Sequence, residues 1–291
     1  MKTLYVTDMD GTLLNSASQV SQRSATIISE LSRRGALITV ATARTPATVV
    51  PLLIDTYTTI PAIVMTGVAL WNRQEKRYDH PQFIEQKDVE TIIGTYSHYN
   101  IAPFAYNLDE DSMLQVYHSA ETLAPWDQEF YDARCHLALK KFHLNTDVPE
   151  EAKQRLVLFF GMGPCEEVFK LAEELKSTTS CSVTAYHDIF NKDIALIEIF
   201  RGGVSKAQAI QRLAKQLGAD RVVAFGDNLN DIPMLKIADE AVAVENAFAE
   251  VKAIADITIG ANNDDAVARF IAHDMGMDDI IDKVQKESER N

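Results

Sequence analysis

Near the start of the chain, Asp8-Met9-Asp10-Gly11-Thr12-Leu13-Leu14 sets two carboxylates two positions apart, directly after the short apolar run Leu4-Tyr5-Val6. The run reads as a buried strand, and α/β sheets bind ligands at the carboxyl ends of their strands. A carboxylate there can attack as a nucleophile, and a pair can organise a hard cation. Asp8 is the candidate nucleophile. The same spacing also occurs in Asp-Gly turns, in Ca²⁺ loops and as the metal pair of glycosyltransferases. The Ca²⁺-loop reading fails, because counting Asp8 as its first ligand puts Leu13 where the sharp turn needs glycine.

Three further groups stand at equivalent places. Thr42 and Arg44 follow the apolar run 37–41, Lys206 follows Gly203-Val204-Ser205 at a helix start, and Asp227-Asn228-Leu229-Asn230-Asp231 follows the apolar run 221–225 and Gly226. Together their types suit phosphoryl transfer from a monoester to an aspartate, followed by hydrolysis. Asp8 would attack phosphorus and Asp10 would protonate the departing alkoxide, then accept a proton from water. A Mg²⁺ ion held by Asp8, Asp227 and the main chain near Asp10, with Asp231 completing the shell, would let one anion approach another. Asp8, Asp10, Asp227 and Asp231 are therefore the candidate metal-site residues. The Thr42 hydroxyl, N–H groups around Thr42 and Ala43, Lys206 and Asn230 would hold phosphoryl oxygens. Arg44 is a weaker phosphate or substrate contact. A cation at a helix start opposes the macrodipole, which favours a functional reason for Lys206.

The elements that must position these groups alternate. Residues 21–34 carry Ile27, Ile28 and Leu31 on one helical face, with Gly35 as a stop. Thr45-Pro46 opens a second helix to about residue 54, and Ile63-Val64-Met65 reads as a third strand. This βαβαβ order predicts a parallel sheet in an α/β fold. The order returns with a helix from Ser205 to Leu217, a strand at 221–225, and short strands around Val242 and Ile257. The last dozen residues are expected as a peripheral helix or frayed tail.

Between them, residues 83–187 read as an inserted α+β module, leaving 1–82 and 188–291 as the core. Helices are expected at 88–98, 122–134 and 166–175, and strands near Phe104 and at 113–117, 156–160 and 183–186. Val168, Leu171, Ala172 and Leu175 form an apolar stripe that reads as packing. Asp109, Asp111 and Tyr186 are candidate ligand contacts at strand ends. His118, His143, His187, Trp71 and Trp126 read as structural.

The net charge of −14 over 291 residues disfavours nucleic acid and anionic membrane surfaces as partners. An anionic substrate would then require local positive charge, which a divalent cation and Lys206 would provide. Three cysteines, Cys135, Cys165 and Cys181, lack metal-ligand spacing and read as reduced thiols. With no signal peptide evident, a cytoplasmic location is expected, as a monomer or homodimer.

In order, Asp-Met-Asp-Gly-Thr-Leu-Leu, Ala-Thr-Ala-Arg, Gly-Val-Ser-Lys and Gly-Asp-Asn-Leu-Asn-Asp resemble the four motifs of the haloacid dehalogenase superfamily. The insertion between the second and third resembles the cap of its Cof-type sugar-phosphatase branch. The resemblance covers essentially the whole chain and implies a Rossmann-like core, Mg²⁺ dependence and a small phosphorylated metabolite as substrate. Ala43 and Ala207 stand where that branch usually has glycine, and Glu245 precedes Asn246 where a small residue is usual. A phosphatase is the leading expectation. The alternatives are a phosphomutase of the same superfamily and a non-catalytic protein that binds a phosphometabolite.

Overall fold

The computed structural model describes residues 1–188 and 191–288, and it divides into two compact units, residues 1–79 with 205 onward, and residues 80–204. In the first unit a five-stranded sheet runs in the order Ile257–Ile259, Glu240–Val244, Arg221–Gly226, Thr3–Thr7, Leu37–Val40. Every pairing in it is parallel. The chain moves from the Thr3–Thr7 strand to one side, then returns to build the other. The gap between Thr3–Thr7 and Arg221–Gly226 is thus the topological switch point, where open α/β sheets leave a crevice.

Apolar alternation explains the burial. Leu4, Val6 and Val222 join Ile210 and Leu213 of the helix Lys206–Leu217 in one cluster with Ile63 and Met234. Ser205 caps that helix by accepting from Gln208 N–H, and Gly218 ends it in a left-handed conformation. Ser21 caps Gln22–Arg33 in the same way through Ser24 N–H.

The third expected strand, Ala62–Val64, reaches the parallel sheet only through a bridge between Ala41 and Ile63. Its main partners are antiparallel strands at Ala69–Asn72 and Arg77–Asp79, which the polar turn between them hides in the sequence. The charged C-terminal segment is a helix, Asp278–Ser288, that buries Ile280 and Val284. The final residues of the expected tail, 289–291, lie outside the described residues.

The second unit has a six-stranded sheet ordered Ser182–His187, Ile194–Phe200, Leu156–Pro164, Phe104–Leu108, Leu114–His118, Lys140–Leu144. Helices Gln86–His98 and Cys165–Thr178 cover one face, burying Val89, Ile92 and the stripe Val168, Leu171, Ala172 and Leu175. The insertion is expected at 83–187, whereas this unit reaches residue 204 because Ile194–Phe200 pairs with both Ser182–His187 and Leu156–Pro164. Among the described residues no helix is long and apolar enough to cross a membrane.

Candidate active site

The parallel register pairs Thr7 with Phe225, and Asp8 N–H donates to Phe225 O at 2.9 Å, so Asp8 emerges beside Gly226 and Asp227. The chain then leaves extended geometry in one wide turn, Met9–Leu13, of the kind found at functional sites. Within it Gly11 takes φ 77° and passes so close to Asp227 that a Cβ there would lie 2.3 Å from Asp227 Oδ2. Two residues fix this approach. The Thr12 hydroxyl donates to Asp227 Oδ1 at 2.7 Å, and the Asn246 amide donates to Gly11 O at 2.7 Å.

Asp231 is fully buried, and its Oδ2 accepts from the N–H groups of Asp227 and Asn228, each at 3.2 Å. This closes the turn after the Arg221–Gly226 strand and leaves Asp231 Oδ1 facing Lys206. Lys206, 4% exposed, donates to Asp8 Oδ1 at 2.5 Å and to Asp231 Oδ1 at 2.8 Å. Its place at the first turn of a helix is electrostatically adverse, and the two carboxylates offset that.

Asp8, Asp227 and Asp231 offer carboxylate oxygens that all lie within 4.8 Å of one another. Three carboxylates and one ammonium leave a formal charge of −2 in a largely buried space. The chemistry of the cluster follows from that excess. Burial pushes the Asp8 carboxyl up to about 7; Lys206 opposes the rise, while Asp231 and Asp227 add to it. Burial likewise raises Asp227, against the hydrogen bond from Thr12. For Lys206 burial works against the charge, but Asp8 and Asp231 outweigh it and hold the ammonium above its ordinary range. Hard oxygen donors carrying two uncompensated negative charges fit a hard divalent cation such as Mg²⁺.

Asp10 points elsewhere. Its exposed carboxylate takes a bidentate pair from Arg44, Nε to Oδ2 at 2.8 Å and Nη2 to Oδ1 at 2.6 Å. Any contribution of Asp10 to the cation would therefore come from its main chain. The Thr42 hydroxyl is buried and accepts from Arg44 N–H at 3.1 Å, while Thr42 N–H donates to Ile63 O. Among the described residues nothing accepts from the N–H of exposed Ala43. Asn230 is exposed in the Leu229–Asp231 turn, next to Asn228, whose side chain accepts from Leu229 N–H.

Sequence reasoning did not single out Thr12 or Asn246, since neither a threonine in a turn nor a lone asparagine signals its distant partner. The sequence also understated Arg44. In the second unit, Asp109 closes a hairpin by accepting from Met113 N–H and the Gln115 amide, and Asp111 is exposed in that turn. Tyr186 hydrogen-bonds Glu198 on the neighbouring strand.

The sequence profile of the haloacid dehalogenase-like hydrolases matches residues 5–271. The pyridoxal phosphate phosphatase YbhA of Escherichia coli is 28% identical, with 91% of this chain and 95% of that protein covered. The 5-amino-6-(5-phospho-D-ribitylamino)uracil phosphatase YcsE of Bacillus subtilis is 26% identical, over 93% and 94%. A match to the chloroplastic endoribonuclease YBEY of Arabidopsis thaliana, 27% identical, covers 91% of this chain but only 45% of that longer protein. Among solved structures, a haloacid dehalogenase-like hydrolase from Bacteroides thetaiotaomicron superposes with a TM-score of 0.76 at 21% identity, over 94% of this chain and 99% of that one. The subclass IIB sugar phosphatase BT4131 gives 0.67 at 19%, over 95% and 100%.

Proposed function

The chain belongs to the haloacid dehalogenase-like hydrolases, and from that premise we propose that it is a Mg²⁺-dependent phosphatase that hydrolyses a small phosphomonoester through a phosphorylated Asp8. The observation that carries the reading is the junction of Asp8, Lys206, Asp231 and Asp227 at the switch point, with two negative charges in excess. Lys206 holds Asp8 Oδ1 and so sets the carboxylate's rotation, leaving Oδ2 to attack phosphorus. A divalent cation held by Asp8, Asp227 and Asp231, with main chain near Asp10, supplies positive charge against the phosphate. The Thr42 hydroxyl and the Ala43 N–H would receive phosphoryl oxygens.

Asp10 gives a proton to the leaving alkoxide and then takes one from the water that attacks the phosphorylated Asp8. Arg44 orients the Asp10 carboxylate before substrate arrives, and its bidentate hold must loosen for Asp10 to carry that proton. The substrate class we favour is a sugar phosphate or a cofactor-like phosphate. The similarity to YbhA, named for pyridoxal phosphate, and to YcsE, named for 5-amino-6-(5-phospho-D-ribitylamino)uracil, supports that choice.

The test is inorganic phosphate release from a panel of sugar, nucleotide and cofactor monophosphates, with Mg²⁺ and with chelator. Mg²⁺-dependent release on a few members supports the reading. Asp8→Asn should cut it by at least about 10³-fold with folding intact, and full activity in that variant removes the covalent mechanism. An isomerised, still phosphorylated product would point to a mutase instead.

A further inference from the structure

In the second unit the helices Gln86–His98 and Cys165–Thr178 cover one face of the sheet, with Ala105 and Phe159 beneath them. Tyr117 pairs with Ala105 across the next strand, so strand alternation turns it to the same side. The cover stops there. Among the described residues, none from Leu114–His118 or Lys140–Leu144 joins the helix-covered cluster. Beside the Gln86–His98 helix a cavity of about 580 Å³ opens instead, and the chain after Lys140–Leu144 closes its far side. Small-molecule sites typically enclose about 300–1,000 Å³.

Ile93 and Phe159 give this cavity apolar surface, and Tyr117 gives it an aromatic edge. The Tyr117 ring stacks on His143, with 4.8 Å between centres and 15° between planes, and His143 is itself held by a 2.7 Å hydrogen bond with the Gln115 side chain. Ser97, Asn100 and Asp147 stand exposed at the mouth. The walls are held by contacts within the protein, so a ligand need not order them.

Two charged side chains line the cavity, Asp147 and Lys153. Lys153 Nζ is already paired with Glu90 Oε1 and Glu150 Oε2, each at 2.8 Å. Among the described residues no cation lies within ion-pair distance of Asp147 and nothing donates to its carboxylate. Lys141, on the same sheet face beyond His143, does not line the cavity. Three carboxylates and one ammonium leave a formal charge of −2 around it. The Tyr117 hydroxyl registers the same sign: burial first, then the Glu151 and Asp109 carboxylates, hold it above its ordinary range. A phosphate entering here would meet repulsion and no free cation.

We propose that this cavity is a second ligand site, for a small organic amine whose apolar body rests against Ile93, Phe159 and Tyr117 and whose ammonium pairs with Asp147. Apolar burial supplies affinity, and the unpaired carboxylate selects the charge. The ligand is thus opposite in charge to the phosphomonoester taken as substrate, and the site serves a molecule other than that substrate.

The experiment is equilibrium dialysis of the intact protein, at about 0.15 M salt, against tryptamine, indole and indole-3-acetate, which share one ring system and differ in charge. Tryptamine should bind with a Kd below about 1 mM, indole about fivefold more weakly, and indole-3-acetate more weakly again by about fivefold. Asp147→Asn should bring tryptamine to within about twofold of indole. Ser97→Trp, which fills the mouth, should weaken both by at least about tenfold. Both positions are exposed, and Asp147→Asn adds no bulk, so it decides the matter if Ser97→Trp disturbs its helix. No tryptamine binding, indole-3-acetate binding as tight as tryptamine, or tryptamine binding undiminished in Asp147→Asn overturns the proposal. Tryptamine held at the Asp8–Asp227–Asp231 cluster would give that last result. Dialysis needs no turnover, so the site stands or falls apart from the phosphatase reading.

Discussion

Replacing Gly11 by alanine tests whether the close approach of two strand-end loops shapes the acidic cluster. Two costs follow from the structure and fall on different observables. The first is conformational: φ 77° is left-handed backbone, where an alanine is less stable by about 1 kcal/mol. The second is steric. The new Cβ would meet Asp227 Oδ2 at 2.3 Å, where ordinary contact begins near 3.4 Å, so Asp227 must retreat by about 1 Å. It cannot do so freely, because the Thr12 hydroxyl holds its Oδ1 at 2.7 Å. Displacement of that size in a reacting constellation costs about 10²-fold in rate, equivalent to about 2.7 kcal/mol of barrier. Gly35 is the control: it also has a left-handed φ, 97°, but a Cβ there meets nothing within 4 Å. Urea denaturation should show both alanine variants losing about 1 kcal/mol. Phosphate release should fall about 10²-fold in Gly11→Ala alone. Gly11→Ala with turnover within about threefold of wild type, or an equal loss in Gly35→Ala, would refute the reasoning.

Other perturbations follow from the same geometry. Lys206→Met leaves Asp8 and Asp231 buried without their counter-ion and should destabilise the fold by about 3–5 kcal/mol; denaturation midpoints should recover when Mg²⁺ is added, and an unchanged midpoint contradicts the assignment. Arg44→Gln should lower the maximal rate while leaving unfolding nearly unaffected, because the ion pair with Asp10 is partly exposed; an unchanged rate would show that Arg44 does not position Asp10. Asp127 is buried with Oδ1 unpaired, and burial pushes its carboxyl from 3.8 up to about 7. Between those values the native state keeps a proton that the unfolded chain has released, so stability falls as pH rises through the window and levels off above it. Relative to Asp127→Asn, wild type should lose up to about 4 kcal/mol from pH 4 to pH 7, and parallel stability profiles would show that the carboxylate is solvated.

Much of the core was legible because its signals are local. The helical face of Ile27, Ile28 and Leu31, the helix from Ser205 to Leu217, and apolar runs of strand length each rest on signals within a few residues, and each appears in the structure. Elements with mixed patterns were lost. Lys140–Leu144 begins with two lysines, and in Ile194–Phe200 Glu198 interrupts the apolar run while the strand's pairing partners lie elsewhere in the chain. Boundaries drifted for the same reason, since only pairing shows to which sheet an edge strand belongs. At the site, Asp8, Lys206, Asp227 and Asp231 were readable as chemically apt residues at strand ends. That Arg44 grips Asp10, and that Thr12 and Asn246 pin the two loops, was not.

The sequence by itself determined the α/β alternation, the kinds of group available for chemistry, and their place at the carboxyl ends of strands, because strand period, capping and turn preferences depend on near neighbours. Tertiary structure alone decided which of those groups touch. Parallel pairing of Thr7 with Phe225 brings residues 8 and 227 together, and burial there turns three carboxylates and a lysine into a single charged unit. Electrostatics depends on distance and desolvation, and neither is encoded in the spacing of residues along a chain.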